Sequence, residues 1–101
     1  MNTGIEIIKS VATALDFGSP FRVTTAKQDY GVHFNDKFVS VVKITPEGRS
    51  EPCDMANLVA DLTLDEAVRE ATGLIDHVKQ KGGRSEAEIA EALRVVSSAR
   101  P

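Results

Sequence analysis

The chain of 101 residues has one cysteine, two histidines and no tryptophan. A lone Cys53 cannot close an internal disulfide and supplies at most one thiolate to a metal, which excludes disulfide scaffolds and zinc ribbons. A membrane-spanning helix needs about 20 consecutive apolar residues, and the sequence has no such run. Residues 1–10 lack the basic start and apolar block of a signal peptide, so we expect a cytoplasmic protein that does not associate with membranes.

An excess of positive charge is also missing. The chain carries 12 Lys and Arg against 15 Asp and Glu, a formal net charge of −3, which argues against a protein that coats nucleic acid. Hydrophobic residues make up 42% and charged residues 27%, which is typical of a globular chain rather than a disordered tail. The length predicts one small domain spanning residues 1–101.

Three segments begin with the pattern of a capping box, a hydroxyl side chain three residues before a glutamate. They are Thr3–Glu6, Thr63–Glu66 and Ser85–Glu88. Apolar residues at helical spacing follow each of them and predict three helices. The first ends near Gly18, the second is long and ends at Gly82, and the third carries the stripe from Ile89 to Val96. Residues 54–60 fit either a short helix or an extended linker.

Between the first two helices the apolar period changes to two. Phe21–Ala26, Tyr30–Asn35 and Phe38–Thr45 read as strands separated by turn-forming residues. Ser50–Met55 is a candidate fourth strand, which Pro52 would confine to an edge because proline lacks an amide proton. The sequence therefore predicts an α+β fold. It consists of an N-terminal helix, an antiparallel meander of three or four strands, and two C-terminal helices packed on one face of the sheet.

The alternation assigns the strand side chains to two faces of the sheet. We place the aromatic residues under the helices, because exposing them for base stacking would leave the helices little to cover. These aromatic residues are Phe21, Tyr30, Phe34 and Phe38. The opposite side is then predicted to face water, and it holds Arg22, Thr24, His33 and Lys43.

The third strand departs from this assignment because Val39 and Val41 fall on the water-facing side. A strand that is apolar on both faces is usually central in a sheet covered on both sides. We therefore expect a partner to cover a surface that includes Val39, Val41, Lys43 and Arg22, and a second copy of the chain is the simplest partner. The alternatives are that the helix pair wraps around the sheet, or that two valines are ordinary surface.

No set of residues converges on catalysis or metal binding. Cys53 lies among acidic residues that raise a thiol pKa, so a nucleophilic pair with His33 or His77 is not expected. His77 has no second histidine one helical turn away, so it gives no metal motif. We expect no catalytic residue, no metal and no cofactor. The remaining enzyme hypothesis combines His33 and Tyr30 with a nearby carboxylate.

Charge changes sign along the long helix. Acidic residues crowd its start, and the basic residues Lys79, Lys81 and Arg84 follow at its end. The helix dipole favours this order, but it also fits a surface that docks a charged partner. Lys79, Lys81 and Arg84, together with the polar face of the sheet, are the candidate contacts for nucleic acid.

The sequence thus favours a small non-catalytic module that acts by binding another protein, as an adaptor, inhibitor or regulatory subunit, and that forms a homodimer. A nucleic-acid-binding accessory protein is the alternative, and a small enzyme is a further one. The size and the absence of any cofactor motif are typical of a bacterial or mobile-element accessory protein.

Overall fold

The computed structural model describes residues 3–35 and 38–99, and its elements follow the predicted order. Helix α1 (Gly4–Ala14) precedes the strands β1 (Phe21–Thr24), β2 (Asp29–Phe34), β3 (Val39–Ile44) and β4 (Ser50–Pro52), which are followed by the helices α2 (Met55–Asp61), α3 (Leu64–Lys81) and α4 (Glu86–Ala99). The strands form one antiparallel sheet in the order β1-β2-β3-β4. The predicted α+β class is confirmed, and the undecided segment before the long helix is helical.

Hydroxyl side chains fix the starts of three helices. At α3 the Thr63 hydroxyl accepts from the Glu66 amide at 3.1 Å, and the Glu66 carboxylate accepts from the Thr63 amide at 2.9 Å. Ser85 and Glu88 make the same reciprocal pair before α4, at 3.1 and 2.9 Å. At α1 the Thr3 hydroxyl accepts from the first turn of the helix. These bonds satisfy amides that have no partner within the helix, so the predicted helix starts are confirmed.

The helices cover one face of the sheet. Val23, Tyr30, Val32 and Phe34 on that face are buried together with the apolar stripes of α1 and α3 in a single core. Helix α1 packs against both α3 and α4. Helices α1 and α3 approach closely at Gly4, where an added Cβ would lie 3.0 Å from the Cβ of Ala67.

The register between β2 and β3 places Val39 and Val41 on the helix-covered face. Val39 lies opposite Phe34 and Val41 opposite Val32, and both valines pack against the core. The expectation that they face water is wrong. The Asn35 amide donates to the Phe38 carbonyl at 3.1 Å, next to the pairing of Phe34 with Val39, and the register of the two strands decides which face each side chain takes.

The same register corrects two further assignments. Lys43 lies opposite Tyr30 and Glu51, on the helix-covered side, and its ammonium lies 3.9 Å from the Glu51 carboxylate. Phe38, expected in the core, precedes β3 and is 56% exposed. Arg22 and His33 do lie on the opposite side of the sheet, as predicted.

The outer edge of β1 is closed by α3. Glu70 accepts from the Thr24 amide at 2.8 Å, and Glu66 accepts from the Ala26 amide at 2.6 Å. Unpaired amides at a sheet edge are a template for pairing with another strand. The two carboxylates therefore oppose strand addition at this end of β1.

Two glycines are expected to respond oppositely to alanine. Gly73 is exposed inside α3, and an added Cβ would meet no atom within 4 Å, so Gly73→Ala is expected to raise the free energy of unfolding by about 0.5–1 kcal/mol. Gly4→Ala is expected to lower it by about 1 kcal/mol, because α1 and α3 must separate to admit the methyl group. Urea denaturation measures both changes. Equal effects of the two substitutions would contradict this account of the helix contact.

Candidate protein-interaction surface

The face of the sheet opposite the helices is a surface that no other element of the described chain covers. We call it the open face, and it consists of alternate residues of the four strands: Arg22, Thr24, Asp29, Gly31, His33, Ser40, Val42, Ile44, Ser50 and Pro52. Each of these residues is half-buried or exposed. A shallow depression of about 370 Å³ lies on this face.

The centre of the open face is apolar. Val42 and Ile44 lean over the bare backbone of Gly31, since an added Cβ there would lie 2.9 Å from Val42 Cγ2 and 3.7 Å from Ile44 Cδ1. Pro52 lies beside Val42 on β4. Glycine inside a strand often marks a close approach to the backbone, and here the approaching groups are the two β-branched side chains of the neighbouring strand.

The charged side chains of the open face form one pair. Arg22 Nε lies 3.0 Å from Asp29 Oδ2, with the two side chains 56% and 32% exposed. Such a surface ion pair contributes little to stability, but it leaves the open face without net formal charge when His33 is neutral. In a chain whose residues are 27% charged, the β3–β4 half of this face has no charged side chain.

The structure separates the residues of the enzyme hypothesis. His33 Nε2 is within 2.6 Å of the Gly18 carbonyl oxygen, at the rim of the open face. Tyr30 lies three positions away in the same strand, so its side chain points to the helix-covered side. There its hydroxyl donates to Asp61 at 2.5 Å and accepts from the Gln28 amide group at 2.7 Å.

Tyr30 and Asp61 tie the sheet to the end of α2. Burial raises the pKa of Tyr30 to about 12, and the hydrogen bond to Asp61 reinforces the shift. The same bond lowers the pKa of the Asp61 carboxyl. At neutral pH the pair is therefore a neutral phenol donating to a carboxylate, and Tyr30 is not placed to act as a base.

Three acidic side chains around the start of α3 accept hydrogen bonds that hold the fold together. Asp61 accepts from Tyr30, Glu66 from Thr63 and Ala26, and Glu70 from Thr24. Three carboxylates predicted as part of a charged surface therefore stabilise turns and strand edges.

The residues of the predicted basic cluster at the end of α3 have different surroundings. Arg84 donates from Nε to the Leu15 carbonyl and from Nη2 to the Asp16 carbonyl, at 3.4 Å. Its guanidinium thus satisfies carbonyls at the end of α1 and lies near the negative end of that helix dipole. Lys79 and Lys81 are exposed at the end of α3.

Cys53 is half-buried beside β4. Burial raises the pKa of its thiol, and the neighbouring Asp54 raises it further, so the nucleophilic thiolate is disfavoured. The ring of His77, the other histidine considered for it, packs edge-on against Phe17 with centroids 6.2 Å apart.

Over residues 3–35 and 38–99, no group of three or more His, Cys, Asp or Glu side chains is placed to hold a metal ion. No helix in the same ranges has the length and apolar character needed to cross a bilayer. Comparison with protein-family models, curated proteins and solved structures finds no match to this chain. Inference about function therefore depends on the surface itself.

Glu66→Gln is expected to lower the free energy of unfolding at pH 7 by about 1–2 kcal/mol, because a neutral amide oxygen replaces a carboxylate that accepts two backbone amides. The bonds from Thr63 and Ala26 hold the pKa of Glu66 below its ordinary value of 4.5. A carboxyl with a depressed folded pKa contributes stability above its unfolded pKa, and loses that contribution as pH falls through the folded value.

Urea denaturation of wild type and Glu66→Gln at several pH values tests this expectation. The difference between the two proteins should shrink as pH falls below 4.5, the ordinary pKa of a glutamate carboxyl, and should be lost once the wild-type carboxyl is protonated. A difference that does not change with pH would show that the charge of Glu66 is not what stabilises the fold.

Arg84→Met is expected to lower the free energy of unfolding by about 1 kcal/mol, because it removes the donors and the cation at the end of α1. Lys79→Met is the matched control and is expected to change stability by less than about 0.5 kcal/mol, as for other exposed residues. Thermal denaturation measures both. Equal losses would contradict the capping role of Arg84.

Proposed function

We propose that this protein is a non-catalytic interaction module that binds another protein through the open face of its sheet, as an adaptor, inhibitor or regulatory subunit. The observation that carries the proposal is the apolar, charge-free centre formed by Val42 and Ile44 over Gly31. Protein interfaces have this character, with few charges at the core and a polar rim. Here Arg22, His33 and other polar residues form the rim.

The open face differs from the other exposed apolar residues of the described chain. Phe38, Val59, Leu64 and Leu93 are each at least 39% exposed, but they lie on separate elements. Scattered apolar residues are normal on a protein surface, whereas Val42 and Ile44 of β3 and Pro52 of β4 are neighbours on one face and form a small contiguous apolar patch.

Features of the open face favour protein over nucleic acid as the ligand. Its cation, Arg22, is paired with Asp29, and the buried aromatic residues Tyr30 and Phe34 point away from it. Binding to phosphates needs unpaired cations, and binding to single-stranded bases uses exposed aromatic rings.

The test is affinity capture from the cells that produce the protein, with wild type, Val42→Asp and the control Leu93→Asp. Burying an unpaired carboxylate at the centre of the interface costs about 2–4 kcal/mol, so Val42→Asp is expected to lose at least about 30-fold in affinity and its captured partners. Leu93→Asp introduces the same charge on α4 and should keep them.

Circular dichroism and thermal denaturation establish that both variants are folded. Capture of the same partners by wild type and folded Val42→Asp would contradict the proposal. Retention of the wild type on DNA at low salt, with affinity that falls steeply as salt rises, would instead favour nucleic-acid binding.

A further inference from the structure

We infer that the partner at the open face is a second copy of this chain, so that two sheets stack face to face with the helices outside. The inference rests on the proposed function, because it names the occupant of the same surface. It follows from the charge, the shape and the area of that surface.

The charge of the open face suits self-association. A two-fold interface brings identical surfaces together, so it must avoid contact between like charges. Arg22 and Asp29 supply one charge of each sign, 3.0 Å apart, and the β3–β4 half of the face is uncharged. The chain as a whole carries a net charge of −3, so this surface is more neutral than the molecule to which it belongs.

The shallow shape of the open face is compatible with packing against another flat surface. Val42 and Ile44 lie over Gly31, and the depression that they line is shallow rather than a deep slot for one inserted side chain. At the edge of β1, the Thr24 amide and the Ala26 amide just beyond the strand already donate to Glu70 and Glu66, which disfavours pairing with an added strand there. Sheets that stack face to face lie about 10 Å apart with interdigitating side chains, and the low relief of this face fits that arrangement.

The area of the open face predicts a weak dimer. Its strands have four, six, six and three residues. At about 4.8 Å between strands and 3.3 Å per residue, such a sheet presents at most about 400 Å² in projection. Stable interfaces bury about 800 Å² per partner. The second copy therefore exchanges with free monomer rather than forming a permanent dimer.

Sedimentation equilibrium of the full chain from about 10 µM to 1 mM tests the inference. Wild type is expected to shift from monomer to dimer across this range. The double variant Val42→Thr with Ile44→Thr keeps β-branched side chains in the strand but removes apolar area, and it should raise the dissociation constant at least about 10-fold. Leu93→Thr, on α4, is the control and should leave the constant unchanged.

Variants that exchange the charges of Arg22 and Asp29 provide a second, independent test. Arg22→Asp places two carboxylates on each open face and should weaken the dimer at least about 10-fold through repulsion within and between copies. Adding Asp29→Arg to Arg22→Asp restores one charge of each sign and should restore association. Recovery by the double exchange supports the inference, because it is not expected if Arg22→Asp acts by damaging the fold.

The outcomes separate this inference from the proposed function. A wild type that stays monomeric at 1 mM overturns the second copy as occupant, while loss of captured partners by Val42→Asp would still support a different protein at the open face. A dimer that is unaffected by the threonine and charge variants also overturns the inference. If folded Val42→Asp also captures the same partners as wild type, the proposed function is overturned as well.

Discussion

The pairing of β2 with β3 is the constraint on which the two faces of this protein depend. Side chains alternate along a strand with a period of two, so a slip of one residue would exchange every side chain of β3 between core and water. The observed register buries Val39 and Val41 against the helices and leaves Val42 and Ile44 outside. The surface that we propose for protein binding is a direct consequence of this pairing.

Long-range polar contacts then attach the helices to this sheet. Glu66 is the clearest example, because the residue that completes the capping box of α3 also accepts from the Ala26 amide beyond β1. Tyr30 and Asp61 join β2 to α2, and Arg84 joins the segment before α4 to the end of α1. These side chains are charged or titratable, but their partners lie within the chain, so they hold elements together and contribute little free charge for a ligand.

The sequence predicts what is determined locally. Hydroxyl–glutamate pairs such as Ser85 and Glu88 locate helix starts because both partners lie within one turn. The face of β3 was mispredicted because it depends on contacts with β2, and adjacent apolar residues such as Val41 and Val42 are compatible with either face. Gly31 was a usable signal, since a glycine inside a strand indicates close approach by a neighbour, but its neighbours are known only once the register is known.

The open face does not carry the stability of the fold, and this bears on the kind of association it supports. Nineteen buried hydrophobic residues among those that the structure describes form the core on the helix-covered side, whereas the open face contributes Val42 and Ile44, both only half-buried. Obligate partners share interfaces that resemble a domain core cut in half, and this surface is too small and too polar at its rim for that. The described chain therefore has its core without a partner, and the association that we propose at the open face would add a reversible step to a structure that is already formed.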